Sequence, residues 1–226
     1  MPDTRSPLGI LGGTFDPIHT GHLQLAQAAL ASLHLSGVIW IPAGYPPHRH
    51  APQAAPEHRL KLLKLALSDN AAFTVDPTEV QTPAPSYTVH TLERLRREHG
   101  PARPLVLLMG ADAFTGLDRW HRWTDILNYS HLGIANRPGS SLAAQDLPRP
   151  LHALLEQQGG ADPAVLTSAP AGRIVSFPMT PCPISATAIR AALASGESVT
   201  DLLPPKVLDY IGLHSLYPLP HPSNGT

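Results

Sequence analysis

Short apolar runs alternate with helical patterns along this chain, and that alternation restricts the fold more than any other feature. Residues 8–12 ("LGILG") and 38–42 ("VIWIP") read as strands, with "FTVDP" (73–77), "PLVLLMG" (104–110), "HLGIANR" (131–137) and "GRIVSFP" (172–178) as further ones. Between them lie segments whose apolar positions recur every three or four residues. After Pro17 the stripe is Leu23, Ala26, Ala29, Leu30 and Leu33; from Glu57 to about Asp69 it is Leu60, Leu63, Ala66 and Leu67, with Lys61 and Lys64 outward. A third helix, capped by Ser86, carries Val89, Leu92 and Leu95, gains Glu93 and Arg97 at i, i+4, and closes at Gly100. Two more are expected at about 185–195 and 204–213. Strand, helix, strand in repetition predicts an α/β fold: a doubly wound parallel sheet with helices on both faces. "PLVLLMG", the most continuous apolar run, is the expected central strand.

The chain has 226 residues, 42% of them hydrophobic, enough for one domain with an ordinary core. We expect that domain over 1–216, with a small C-terminal helical part and a flexible tail at 217–226. Residues 138–170 lack clean periodicity and read as an irregular insertion with a short helix at "LHALLEQQ". The 26 prolines fall largely between the periodic segments, where they punctuate an ordered chain.

Sixteen basic and 17 acidic residues leave a net charge of -1, without the basic footprint of a nucleic-acid-binding protein. An anionic ligand must then be held by local groups. Cys182, the single cysteine, cannot pair within the chain and reads as a small apolar filler near the second motif described below. No segment approaches the roughly 20 apolar residues of a membrane span, and the N-terminus lacks a signal-peptide core, so the expected location is the cytoplasm.

Parallel sheets bind ligands beyond the carboxyl ends of their strands. The predicted ends at Gly12, Gly110 and Asn136 would face one crevice. At the first, Gly12 and Gly13 leave room for a ligand against the backbone and allow dihedrals closed to other residues. A helix opening near Thr20 or Gly21 would aim its amides and positive dipole end at the same place, favouring an anion. His19 and His22, at i, i+3, can face that anion together. Zinc is the rival ligand for this pair, with His48, His50 or His58 completing the set, although no acid or cysteine stands at structural-zinc spacing. Near the other end of the chain, "ISATAIR" (184–190) supplies cap-type hydroxyls at Ser185 and Thr187 and an arginine, Arg190, one turn into a helix.

"GGTFDPIHTGH" resembles the signature of the H-x-G-H nucleotidyltransferase superfamily, and "ISATAIR" resembles its second motif. "IPAGYPPHR", "APSYTVHTL", "LLMGADAFTGLDRWHRW", "IANRPG" and the closing "GESVTDLLPPKVLDYIGLHSLY" are similar, in the same order, to the bacterial nicotinate-nucleotide adenylyltransferases. The resemblance covers residues 8 to about 215. It implies a Rossmann-like fold and adenylyl transfer from ATP to nicotinate mononucleotide in NAD biosynthesis, with Mg²⁺ carried mainly by ATP.

It also implies roles for residues. His19, His22 and Arg190 would be catalytic. Gly12, Gly13, Thr14, Phe15, Gly110, Asp112, Ile184, Ser185 and Thr187 would bind ATP. His48, Arg49, Tyr87, Thr88, Trp120, His121 and Arg137 would bind nicotinate mononucleotide, Trp120 by stacking on the pyridine ring. His121 departs from the aromatic residue expected at its position. The alternatives are a relative that prefers nicotinamide mononucleotide or another phosphate acceptor, and a non-enzymatic metal-binding module resting on the 13 histidines. An aminoacyl-tRNA synthetase, which also carries an H-x-G-H element, is disfavoured by the chain's length and neutrality. No nucleic-acid or membrane partner is expected, and either a monomer or a homo-oligomer fits.

Overall fold

A computed structural model describes residues 6–45, 51–136, 147–160, 162–180 and 182–218. Its centre is a seven-stranded sheet formed by β1 (Leu8–Gly13), β2 (Val38–Pro42), β3 (Phe73–Val75), β4 (Leu105–Gly110), β5 (His131–Asn136), β6 (Gly159–Gly160) and β7 (Ile174–Pro178). The order is β3-β2-β1-β4-β5-β7-β6, and every pairing is parallel. The α/β expectation holds, and β4 lies at the middle of the sheet as its unbroken apolar run requires. The chain winds outward from β1 to β3 and then returns to the other side of β1. The order therefore reverses between β1 and β4, where ligand crevices form in such sheets.

Side chains alternate across the sheet and supply two cores. On one face Leu11, Val38, Trp40, Val106, Leu108, Val175 and Phe177 meet α1 (Thr20–Ser32), α2 (Pro56–Leu67), α8 (Ala186–Ser195) and α9 (Pro205–Leu213). On the other, Ile10, Ile39, Ile41, Leu107, Met109 and Ile134 meet α4 (Thr88–His99), α6 (Ile126–Tyr129) and α7 (Arg149–Gln158). Two four-residue turns, α3 (Thr78–Gln81) and α5 (Ala111–Phe114), follow β3 and β4. Ala26, Ala29 and Leu33 of the predicted α1 stripe are buried, while Leu23 and Leu30 pack at its edge.

Several local expectations are corrected. Ser86 does not cap α4; Tyr87 is the N-cap, and the Ser86 hydroxyl accepts the amides of Gly44 and Tyr45 at 3.0 and 3.3 Å. Ser86 is thereby spent on tying the loop after β2 to the start of α4. Glu93 pairs with Arg122 instead of Arg97, because Arg122 enters from the neighbouring loop; the i, i+4 pair on α4 is Arg94–Glu98. The short helix expected at "LHALLEQQ" is present as α7, and the insertion holds one turn that was not expected, a 3-10 turn at Pro163–Thr167. Tyr217, assigned to the flexible tail, is 5% exposed and belongs to the core. No helix among the described residues is long and apolar enough to cross a membrane.

Candidate active site

At the carboxyl ends of β1 and β4 lies a cavity of about 290 Å³. Gly12, Gly13, Thr14 and His22 form one wall; Gly110 and Ala113 form the floor; Tyr87, Thr88, Trp120 and His121 form the other wall. The cavity brings together Gly12, Gly13, Thr14, His22 and Gly110 of the expected nucleotide set with Tyr87, Thr88, Trp120 and His121 of the expected mononucleotide set, whereas His19, Phe15, Asp112, Ile184, Ser185, Thr187 and Arg190 do not line it. A larger concavity of about 830 Å³ sits at the amino ends of the strands, around Pro7, His34, His99 and Arg103, and contains none of the motif residues.

The two glycines serve by space alone. Neither has positive φ, contrary to the expectation of special dihedrals. A Cβ at Gly12 would meet nothing within 4 Å, so its bare face opens on the crevice, and one at Gly13 would strike the Phe15 ring at 2.9 Å. The left-handed residue is Phe15 itself, at φ 49°. That turn sends its side chain inward, to 2% exposure, where it meets His22 edge-on with centroids 5.0 Å apart and Trp40 at 5.6 Å. Phe15 supports His22 from beneath and can offer a nucleotide only its backbone.

His19 is the N-cap of α1, and its amide donates to Nδ1 of His22 at 3.3 Å. An accepting Nδ1 leaves the proton of neutral His22 on Nε2. The two rings stack at 3.7 Å. His19 is 6% exposed, and burial pushes its pKa down to about 4, so it is neutral at physiological pH. The start of α1 is less open than expected. The Thr20 amide and hydroxyl both donate to the Leu202 carbonyl, at 2.9 and 3.1 Å, so the segment before α9 occupies part of the predicted anion site.

Asp16 links distant parts of the chain. Its carboxylate accepts the amides of Gln53 and Ala54 and the hydroxyl of Tyr217, at 2.8, 3.0 and 2.8 Å. Its carbonyl accepts Nη1 of Arg190 at 2.7 Å. The other terminal nitrogen of Arg190 donates to Thr187, and its Nε is buried without a partner among the described residues. Arg190 therefore fastens the second motif to the first, and only part of its fork remains for a ligand. Ser185 caps α8 as predicted, accepting the Ala188 amide at 3.1 Å. Ile184 packs at the edge of the core. Asp112 is exposed in the first turn of α5 and caps nothing through its side chain.

In the far wall, Tyr87, His90 and His121 form a ring cluster, with centroids at 4.4 Å for Tyr87–His121 and 5.5 Å for both His90 pairs. Glu79, beside them, is held above the usual carboxylate range by burial, although Thr91 donates to it. His48, Arg49 and Arg137 lie outside the described residues.

Sequence reasoning missed Arg59. This side chain is 0% exposed, and its guanidinium donates to the carbonyls of Thr14 and Ala43 at 2.7 Å, Gly44 at 3.2 Å and Ala54 at 3.3 Å. It clasps the loops after β1 and β2 from below. Burial lowers its pKa, while Asp16 acts in the opposite direction. The available signal was its place on the apolar stripe of α2, three and four residues before Leu62 and Leu63.

A glycine-walled crevice at the reversal of a doubly wound sheet, with histidines at a helix start, defines a nucleotide-handling α/β protein. The family model described as cytidylyltransferase-like matches residues 10–192. A probable nicotinate-nucleotide adenylyltransferase of Dechloromonas aromatica is 54% identical, covering 93% of this chain and 97% of the relative. Another, from Laribacter hongkongensis, is 46% identical over 94% and 95%. The nicotinic acid mononucleotide adenylyltransferase of Plasmodium falciparum, complexed with NaAD, shares the fold at TM-score 0.65 and 15% identity, covering 94% of this chain and 97% of that one. The chain belongs to the nicotinate-nucleotide adenylyltransferases, within the cytidylyltransferase-like family.

Proposed function

We propose that this protein transfers the adenylyl group of ATP to nicotinate mononucleotide, giving nicotinate adenine dinucleotide and pyrophosphate. The observation that carries the proposal is the shared cavity, where Gly12, Gly13, Thr14 and His22 face Tyr87, Thr88, Trp120 and His121. That is the arrangement needed to bring a nucleotide's phosphates against a second, flat substrate.

In this reading the 5′-phosphate of nicotinate mononucleotide attacks the α-phosphorus in line, the new P–O bond forming as the bond to pyrophosphate breaks. A phosphate is already nucleophilic, so the protein aligns the reactants and stabilises charge. His19, kept neutral by burial, and His22 donate to the triphosphate through Nε2–H, and Arg190 adds the part of its fork left free by Asp16 and Thr187. Ser185, Thr187, Ile184 and the backbone of Thr14 and Phe15 line the triphosphate path; Gly110 and Asp112 take the ribose side. Trp120 stacks on the pyridine, and the Tyr87, Thr88 and His121 backbones receive its carboxylate. His48, Arg49 and Arg137 complete the mononucleotide site.

The donor set fits a Mg²⁺ held by nucleotide oxygens. Among the described residues no three His, Cys, Asp or Glu side chains gather as metal ligands, and the Asp16 carboxylate is engaged by amides and a hydroxyl. Such an ion would neutralise phosphate charge. We assign the reaction to the cytoplasm and to small-molecule substrates; a net charge of -1, without a basic footprint, favours the latter over nucleic acid.

The test is pyrophosphate release from ATP across nicotinate mononucleotide, nicotinamide mononucleotide, phosphopantetheine, glycerol phosphate and choline phosphate. Nicotinate mononucleotide is expected to give the highest kcat/KM, and His22→Ala to lower kcat about 100-fold or more, as when a transition-state donor is lost. Preference for any other acceptor overturns the substrate assignment.

A further inference from the structure

The far wall of the cavity, assigned above to an anionic substrate, holds a carboxyl group of its own. Glu79, on the short turn α3, is half-buried and lines the cavity with Ser86, Tyr87, Thr88 and Thr91. Thr91 donates its hydroxyl to Oε1 of Glu79 at 2.5 Å. Ser86 already accepts the amides of Gly44 and Tyr45, so its own proton turns to the same carboxyl. These two hydroxyls bracket the Tyr87–Thr88 pair, which puts Glu79 beside the start of α4 where the substrate carboxylate is to be received. No cation meets Glu79 at salt-bridge distance among the described residues. Arg94 of α4 is spent on Asp76 and Glu98, and Arg59 of α2 on loop carbonyls. Burial comes first among the causes that hold Glu79 above the usual carboxylate range, and the charge of Asp76, between β3 and α3, adds to it. The remaining titratable neighbours are Tyr87, His90 and His121 in the same wall and His22 in the opposite one. A carboxylate without a counter-ion, in a pocket for an anion, would repel its own substrate.

We propose that Glu79 is a specificity-determining residue that shares a proton with the carboxylate of the bound pyridine, so that nicotinate mononucleotide enters together with one proton from solvent. Two carboxylates in one site do not both stay ionised, and the proton that settles between them turns a repulsion into a hydrogen bond. Glu79 is the group that receives it, because the cationic ring of the substrate withdraws charge and keeps the substrate's own carboxyl ionised. The neutral Glu79 then donates its O–H to the substrate while Thr91 and Ser86 hold it in place. One proton moves from solvent to one Glu79 oxygen, and no covalent bond in the substrate changes. The amide of nicotinamide mononucleotide brings no negative charge and calls for no proton; an ionised Glu79 accepts its N–H. The choice between acid and amide is thereby tied to pH, with rising pH moving it towards the amide. The inference rests on the adenylyl-transfer reading for the identity of the pyridine substrate.

The experiment is calorimetric titration of the full chain with nicotinate mononucleotide and, separately, nicotinamide mononucleotide, in two buffers of different ionisation enthalpy. α,β-Methylene ATP is present so that no phosphate bond is broken. Both mononucleotides carry the same phosphate, which titrates at about pH 6, so at about pH 7.5 the difference in their proton uptake isolates the carboxylate. Nicotinate mononucleotide is expected to take up more protons than the amide, approaching one, and the ratio of the two dissociation constants to move towards the amide by up to about tenfold per pH unit, the limit for one linked proton. In Glu79→Gln, which keeps a donor but cannot titrate, both effects should vanish; Glu79→Ala serves if the glutamine variant folds poorly. A purely structural Glu79 would leave proton uptake unmoved. Equal uptake for acid and amide overturns the proposal, and an extra proton that persists in the variants assigns it to His22, His90 or His121 and overturns it equally. A chain that binds nicotinate mononucleotide without the extra proton sinks this proposal alone, whereas one that does not bind it sinks the adenylyl-transfer reading as well.

Discussion

Replacing Arg59 by methionine should loosen the loops after β1 and β2, and with them the Thr14 backbone assigned to the triphosphate path. The guanidinium donates to four carbonyls, of which the bonds to Thr14 and Ala43 are both 2.7 Å. A hydrogen bond from a charged donor is worth about 1.5–3 kcal/mol, so the two short bonds alone represent about 3–6 kcal/mol. Methionine fills much of the volume but donates nothing, leaving carbonyls of both loops unpaired. Set against the roughly 5–15 kcal/mol that holds a domain together, that loss consumes much of the total. Urea denaturation should show the midpoint falling with the slope unchanged, and kcat/KM should drop under conditions where the variant remains folded. Arg59→Lys should fall between, because an ammonium restores charge without the planar fork. A methionine variant within about 1 kcal/mol of the parent, with unchanged kcat/KM, would refute the reasoning by showing that water replaces the guanidinium.

Three further perturbations read other parts of the site. Tyr217→Phe removes one donor from the Asp16 carboxylate and should cost about 1.5–3 kcal/mol in urea while lowering kcat; equal stability would mean the hydroxyl is dispensable. The His19 imidazole titrates near 4 in the native protein and near 6.5 when unfolded, so the unfolded chain takes up its proton first as pH falls. Its contribution to stability is complete above pH 6.5 and declines by about 3 kcal/mol towards pH 4; His19→Asn should lose that slope in urea melts at pH 7 and 4.5, and an unchanged slope would assign it to other groups such as buried His131. Trp120→Ala should raise KM for nicotinate mononucleotide about 2- to 13-fold, the worth of an aromatic contact, and leave KM for ATP unchanged; a larger effect on ATP would move Trp120 out of the pyridine site.

The sheet was legible because parallel strands buried on both faces must be apolar throughout, as in "VIWIP" and "PLVLLMG". The first motif was legible because its glycines and histidines sit within one strand-to-helix turn. What the sequence hides is reuse of polar groups across the fold. Ser86 looks like a helix cap until the loop after β2 claims its hydroxyl, and Arg190 looks free for phosphate until Asp16 and Thr187 occupy part of its fork. Arg59 resembles a solvated helix residue because its four partners are carbonyls, which carry no sequence identity. Tyr217 follows the last helix among prolines and reads as tail, although it closes a contact with a residue at the other end of the chain.

The bonds from Arg190 to Asp16, from Thr20 to Leu202 and from Tyr217 to Asp16 join residues 174, 182 and 201 positions apart. Contacts at such separation are formed slowly, since most of the polymer must be ordered before its ends can meet. During synthesis Asp16 emerges 201 residues before Tyr217, and its carboxylate is held on all sides only once that residue has followed. Adenylyl transfer is then a timer for maturation: its onset during refolding should lag the recovery of helical signal, and the interval measures the closing of these last three contacts.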